Sequence, residues 1–399
     1  MALSKNDLLD ISFEKIEKIR SGISCLKEIV YLNSGWTGPM SKFAINAICN
    51  SLQNQQLLGP STKDALKAYV REIGEARSQI ASFFSTKEEN ICLTPNTTLG
   101  INLALNAYNW GANDEIITTR HEHASALIPL YNLKDRFKTK IKLIDIDFSN
   151  PLKSFLENIS KNTKAAVFSH VFWSNGFVLP IQEIISELRK KEIISIIDGA
   201  QAAGALKVDL DEINPDFYSA PGHKWLLGPH GAGFFYINKN LFNKRPPWPS
   251  IVGYESALGK GDDDIYDLNG NWTPKKNAAL FEFGGLNCSL FLGLSSAVAF
   301  AKNNLREFDI YKRIYELSEY LIHKLNENLD IEVVTTKDHA GLVSFQHKKI
   351  PSSEIVSKLW LKNKILIREI KNFNYCRVSI HYFNTMEEID LLVEQVRMP

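Results

Sequence analysis

Apolar positions along the chain follow two periods. Ile193-Ile194-Ser195-Ile196-Ile197 is an unbroken run with the length and branching of a strand buried on both faces. Shorter runs over Ile91–Thr94, Glu115–Thr119, 140–147, 165–171 and Gly233–Ile237 read as further strands, with a brief one at 216–219. Between them the spacing turns helical. Leu66, Tyr69, Ile73, Ala76 and Ile80 line one side of a long helix over 61–84. Near the N-terminus Leu9, Phe13, Ile16, Ile19 and Ile23 predict an amphipathic helix packed on the body. Strand–helix alternation through residue 237 predicts an α/β fold, a mostly parallel sheet with helices on both faces.

Beyond that point the pattern changes. Residues 243–280 are rich in Pro, Gly and Asp and predict a long loop at the site or a dimer interface. A helix with Ile310, Ile314, Leu317, Leu321 and Leu325 on one face opens a smaller C-terminal α+β domain. Strands near Ile331 and Gly341, strands carrying Ile367-Arg368-Glu369 and residues 377–381, and a final helix follow. A chain of 399 residues is too long for one core. The expected division is an N-terminal helix in 1–30, a large domain over 31–291 and a small domain over 292–399.

Charge narrows the partners. A net charge of +1 gives no sign of nucleic acid or an anionic membrane as partner. No apolar run approaches a membrane span, and the opening MALSKNDLLD has no signal-peptide core. The five cysteines are scattered without a CxxC pair, which suits a reducing cytoplasm rather than a disulfide framework or a structural zinc.

The candidate chemistry sits at strand ends. Asp198 closes the 193–197 run and is followed by small residues, and ligand chemistry gathers at the carboxyl ends of parallel strands. Lys224 beside His223 follows the 216–219 strand. Pyridoxal phosphate (PLP) needs a lysine for a Schiff base and an anion to keep its ring nitrogen protonated. Lys224 and Asp198 supply these, Gln201 lies within reach of the ring oxygen, and His223 is a donor for the phosphate. Taken singly, a strand-end Asp is a helix cap and a Lys a solvated charge; the ordered combination singles out PLP. At Asn96-Thr97-Thr98 a strand turns into a helix, leaving free N–H groups for a phosphate, with simple N-capping as the alternative. His121-Glu122-His123 lacks a third metal ligand, so no metal is expected.

Asp198-Gly199-Ala200-Gln201, Gly222-His223-Lys224-Trp225 and Gly228-Pro229 resemble the class V aminotransferase superfamily of fold-type-I PLP enzymes, which includes cysteine desulfurases and C–S lyases. The resemblance runs from about Tyr31 to Asp390. It implies the PLP-dependent transferase fold type I and a homodimer. It assigns catalysis to Lys224, Asp198 and His123, with the His123 ring flat against the cofactor, and phosphate contacts to Asn96, Thr97 and Thr98. The Gly-rich loop from Tyr31 to Pro39 is implied to lie near the substrate carboxylate. Arg377 matches the arginine that forks onto the α-carboxylate. Arg368 has a counterpart in cystine lyases, where a second carboxylate needs a partner. Trp173, in a segment similar to that of cyanobacterial L-cysteine/L-cystine C–S lyases, is implied as a pocket wall, and Asn175 as an unassigned polar contact.

Two departures from the family pattern matter. No cysteine stands in the 369–375 connection, where persulfide-forming desulfurases carry theirs, and Cys376 alternates with Arg377 and so faces away from it. Pro221 and Leu280 stand where the resemblance implies side chains that anchor the cofactor, and Gly285 where it implies a threonine offered to the partner subunit's phosphate; all three anchors are lost here. The expected activity is β-elimination from a small sulfur-containing amino acid, L-cystine or L-cysteine, giving pyruvate, ammonia and a persulfide or sulfide. The alternatives are a cysteine desulfurase, an aminotransferase, an isopenicillin-N-epimerase-like enzyme, and a PLP-binding scaffold without catalysis.

Overall fold

In the computed structural model, which describes residues 12–259 and 265–397, the first helix is α1 (Phe13–Arg20). It buries Ile16 and Ile19, with Ile23 beyond it, against Ile310, Ile314 and Tyr382. Phe13 is 76% exposed, because the apolar stripe meets the body only over its C-terminal part. Leu9 lies outside the described residues. A two-residue strand β1 (Val30–Tyr31) precedes two helices, α2 (Lys42–Leu58) and α3 (Lys63–Phe83). Ile73, Ala76 and Ile80 of α3 are buried as their spacing predicts, whereas Leu66 faces solvent.

The large sheet is then laid down strand by strand: β2 (Ile91–Thr94), α4 (Thr97–Leu105), β3 (Glu115–Thr119), α5 (Ala124–Phe137), β4 (Lys140–Ile144), α6 (Pro151–Leu156) and β5 (Thr163–Ser169). It continues with α7 (Ile181–Lys190), β6 (Ile194–Asp198), α8 (Leu210–Ile213), β7 (Phe217–Pro221), β8 (Gly233–Ile237) and α9 (Leu241–Lys244). The spatial order is β2-β8-β7-β6-β5-β3-β4. Pairings among β7, β6, β5, β3 and β4 are parallel, and β8 runs antiparallel to both neighbours. All five residues of β6 are buried. Ile197 packs into one core with Phe168, while Ile194 and Ile196 pack into another with Val167. Each such side chain contributes about 1.5–3 kcal/mol by leaving water. Two-sided burial is what makes these strands read as continuous apolar runs.

After the loop, α10 (Cys288–Leu305) packs on α2 and α3. The remaining elements are α11 (Ile310–Asn326), β9 (Ile331–Val333), β10 (Leu342–His347), α12 (Ser352–Asn363), β11 (Ile365–Leu366), β12 (Arg368–Ile370), β13 (Tyr375–Ser379) and α13 (Met386–Arg397). An antiparallel sheet β12-β13-β10-β9 backs a core of Leu317, Val343, Phe345, Cys376 and Ile389. β1 pairs with β11, so the N-terminal strand completes the C-terminal part of the molecule.

Candidate active site

A cavity of about 250 Å³ opens at the carboxyl ends of β5, β6 and β7, where it meets β12 and β13. Asn96, Thr97, Thr98, His123, Trp173, Asp198, Gln201, His223, Lys224, Arg368 and Arg377 all line it. No described cysteine does.

Asp198 ends β6 and is 4% exposed; its Oδ1 accepts the Ala200 amide at 2.8 Å. Burial raises its pKa, and the charge of Lys224 pulls the other way. Lys224 follows β7 on a turn whose geometry demands small neighbours. The Gly38 amide donates to the His223 carbonyl at 2.7 Å, and a side chain at Gly38 would strike the Lys224 carbonyl. Burial brings the Lys224 amine down to about 8; Asp198 opposes the shift, and Arg377 and Arg368 add to it.

His123 is the N-cap of α5, and its Nδ1 accepts the Ser125 amide at 3.2 Å. That bond leaves the proton on Nε2. Desolvation first, then the charges of Lys224, Arg377 and Arg368, lower its pKa to about 4, so the ring is neutral at pH 7. Trp173 stands edge-on to it, with centroids 5.4 Å apart. Beneath lies buried Glu122, whose carboxyl accepts from Thr119 Oγ1 at 2.6 Å and Ser169 Oγ at 2.5 Å and is pushed up to about 7, mainly by burial.

At the opposite wall α4 points its first turn into the cavity. First-turn amides have no intrahelical acceptor. Asn96 Oδ1 takes that of Leu99 at 3.0 Å, so its carboxamide caps the helix. Thr97 Oγ1 is buried without a partner, and Thr98 is exposed at the rim. Helix α4 lies this close because residue 100 is glycine; a Cβ there would collide with Ser219 of β7. His223 stacks on His230 with centroids 4.1 Å apart, and its buried Nδ1 has no partner. Burial, then His230 and Lys224, lower the His223 pKa to about 4. Gln201 is engaged: Nε2 donates to the Gly35 carbonyl at 2.9 Å and Oε1 accepts the Trp225 indole at 2.8 Å.

Arg377 is 2% exposed and donates from Nη1 to the Trp173 carbonyl at 2.7 Å, while its Nε is unpartnered. Burial, with Arg368 adding to it, lowers its pKa to about 9. Arg368 pairs with it in register across β12 and β13 and lies 3.8 Å over the Trp36 ring. Cys376 points to the other side of the sheet, into the core beside Val343 and Phe345, and burial takes its thiol far above the usual range.

Some expectations change. Asn175 is outside the cavity; its side chain accepts the Phe177 amide at 3.2 Å and so shapes a turn. His121 is half-buried and stacks on Phe172 at 4.7 Å. Leu280, where the resemblance implies a lost anchor, is a core residue next to Phe281. Gly285, where the family offers a threonine to the partner subunit, lies by a groove between α2 and α3, away from its own chain's cavity. The sequence reading missed Trp36, Ser169 and Ser125 as lining residues. Only the position of Trp36 inside a Gly-rich turn signalled it.

The residues present suit PLP. A buried carboxylate and an amine with a lowered pKa face one cavity, and Thr97 Oγ1 and His223 Nδ1 are polar atoms that the protein leaves unpaired beside the free amides of α4. Pro221 lines the cavity and adds no donor.

Comparison with known proteins finds relatives along nearly the whole chain. The model of the family described as Aminotransferase class-V matches residues 30–392. A probable cysteine desulfurase of Methanothermobacter thermautotrophicus is 25% identical over 96% of this chain and 97% of its own. The cysteine desulfurase of Wigglesworthia glossinidia brevipalpis is 27% identical, covering 96% of each. Among solved structures, the cystine C–S lyase C-DES in complex with its reaction product cysteine persulfide superposes with a TM-score of 0.87 at 26% identity, over 94% of this chain and 99% of that one. A C-DES mutant with glycine covalently linked to the PLP cofactor superposes with the same score.

Proposed function

The chain belongs to the class-V aminotransferase family, and on that premise we propose that it is a PLP-dependent C–S lyase. It cleaves L-cystine or L-cysteine by β-elimination, releasing pyruvate, ammonia and a persulfide or sulfide. The observation that carries this reading is the pair Arg368 and Arg377, on one face of the small sheet and turned toward Lys224, in a cavity that no described cysteine lines. Two cations suit a substrate with two carboxylates. Cystine, moreover, releases a persulfide as its own leaving group and requires no protein thiol.

When bound, PLP supplies an electron sink for the substrate α-carbon. The first turn of α4, Thr97, Thr98 and His223 would hold its phosphate, with Asn96 fixing that turn. Asp198 offers the anion for the ring nitrogen, and Gln201 has one N–H left for the ring oxygen. Arg377 holds the α-carboxylate as a fork. Lys224 Nζ, near neutral pKa, takes the α-proton. His123 keeps its proton on Nε2 and with Trp173 forms the wall that excludes water. Arg368 receives the distal carboxylate.

The protein acts as a homodimer in the cytoplasm. Leu52, Leu57, Leu66 and Val70 form an exposed apolar face on α2 and α3, beside a groove of about 400 Å³ that a second copy would cover. No helix among the described residues is long and apolar enough to cross a membrane.

Pyruvate release by the PLP-loaded protein tests the reading. L-cystine should yield pyruvate and L-alanine should not. The second reading, a cysteine desulfurase, is favoured by the names of the relatives at 25–27% identity. Alanine formed from L-cysteine, with no pyruvate, would establish it.

A further inference from the structure

Trp36 makes a contact that the reaction described above does not use. Its ring is 56% exposed at the pocket mouth, yet its backbone is tied to the floor of the site. The Trp36 amide donates to the Asn33 carbonyl at 3.0 Å, the Gly35 carbonyl accepts from Gln201, and the Gly38 amide bonds to His223. The loop is therefore fixed while the indole lies open to solvent. On that indole, 3.8 Å from its centroid, rests the guanidinium of Arg368. Arg368 has no hydrogen bond or ion pair to any described residue, unlike Arg377, which is fixed by Trp173. Like charges opposite each other on a strand pair repel. With Arg377 immobile, that repulsion and the many rotamers of arginine would swing Arg368 away from the pocket. The indole face supplies the opposing attraction.

We propose that Trp36 is a positioning residue that holds Arg368 extended over the pocket mouth, so that the enzyme selects amino acids bearing a second carboxylate. The inference rests on the reading that Arg368 receives the distal carboxylate. It makes substrate choice a property of the fixed 33–38 loop as much as of the arginine.

The test uses non-reactive probes and the PLP-loaded protein. Suberate carries two carboxylates separated by the same number of atoms as those of L-cystine; octanoate has the same chain length with one. Titration calorimetry should show wild-type protein preferring suberate. Trp36→Ala should lose about tenfold of that preference, and Trp36→Phe should keep most of it. In turnover, Trp36→Ala should raise KM for L-cystine by a similar factor, and by clearly more than it raises KM for L-cysteine. An unaltered suberate preference in Trp36→Ala overturns the proposal. So does equal weakening toward suberate and octanoate, which would make Trp36 a general wall. If Arg368→Ala binds suberate as tightly as wild type, the distal-carboxylate assignment fails and the proposal falls with it. A Trp36-dependent suberate preference in a protein that releases no pyruvate would sustain the proposal and reject the lyase activity alone.

Discussion

Arg368 and Arg377 stand directly opposite each other on β12 and β13, one resting on an indole and the other buried against a carbonyl. Cross-strand like charges are destabilising. Burial of Arg377 adds a desolvation cost visible in its lowered pKa. On the proposed reading, a separate carboxylate at each arginine would relieve both costs.

Replacing Arg377 by lysine should lower kcat/KM for L-cystine and L-cysteine alike by 10- to 100-fold, about 1.4–2.8 kcal/mol, because a point charge cannot reproduce the fork. Steady-state kinetics on both substrates checks this. A loss confined to L-cystine would mean that Arg377, not Arg368, reads the distal end.

Lys224 sets a pH dependence. Its amine titrates at about 8, with Asp198 facing it as anion and Arg377 and Arg368 as cations. Only the neutral amine is a nucleophile, so PLP uptake by the cofactor-free protein should accelerate as pH rises through 8 and level off above it. Stopped-flow absorbance measures the rate. Arg368→Gln removes a charge that lowers the Lys224 pKa, and should move the midpoint upward. Lys224→Ala should abolish pyruvate release while leaving the circular dichroism unchanged.

Gly100→Ala would place a methyl group against Ser219 and push α4 away from β7. Overpacking of this kind costs about 1–3 kcal/mol. The melting temperature should fall, and PLP affinity should fall with it, since the same helix turn holds Thr97 and Thr98. Unchanged PLP affinity would separate α4 from phosphate binding.

His381 is fully buried between Trp225 and Phe383, and burial lowers its pKa to about 4 despite a bond to the Trp225 carbonyl at 3.0 Å. Between pH 6.5 and 4 the unfolded chain binds a proton here that the folded chain refuses. This contribution is thus fully present above pH 6.5 and declines as pH falls toward 4, by about 1.4 kcal/mol per unit. Glu122, raised from 4.5 to about 7, works in the opposite direction between those two values. His381→Gln should therefore flatten the fall in urea-unfolding stability by that slope relative to wild type. Parallel curves for the two proteins would contradict the burial argument.

A variant with all five cysteines replaced should still release pyruvate from L-cystine at near wild-type kcat. Cys376 is sealed in the core and no described cysteine reaches the cavity. Loss of sulfur release with the fold intact would bring a protein thiol back into the reaction.

The strands were legible because burial on both faces leaves little choice of residue; β8 runs from Gly233 to Ile237 as its apolar run predicts. Helix α2 gave no such signal. Only Ala44 and Ser51 of it are buried, and its contact with α10 is made by small and polar side chains such as Ser51, Gln55 and Ser289. Lys224 and Asp198 were readable from strand-end chemistry and order. The pairing of Trp36 with Arg368 was not, since no local period relates positions so far apart in the chain.

The pairing of β1 with β11 has a consequence for synthesis. Val30 and Tyr31 must wait for Ile365 and Leu366 to leave the ribosome before they gain a partner. Asn33 then bridges to Ser379, and Asn384 donates to the Tyr31 carbonyl at 3.1 Å. Contacts of such sequence separation form late and slowly. The loop carrying Trp36 hangs on this strand, so a nascent chain can assemble β2 through β8 and still lack a closed pocket. Competence arrives only when the last strands dock, and a chain released early would carry the lysine and no means of gripping its substrate.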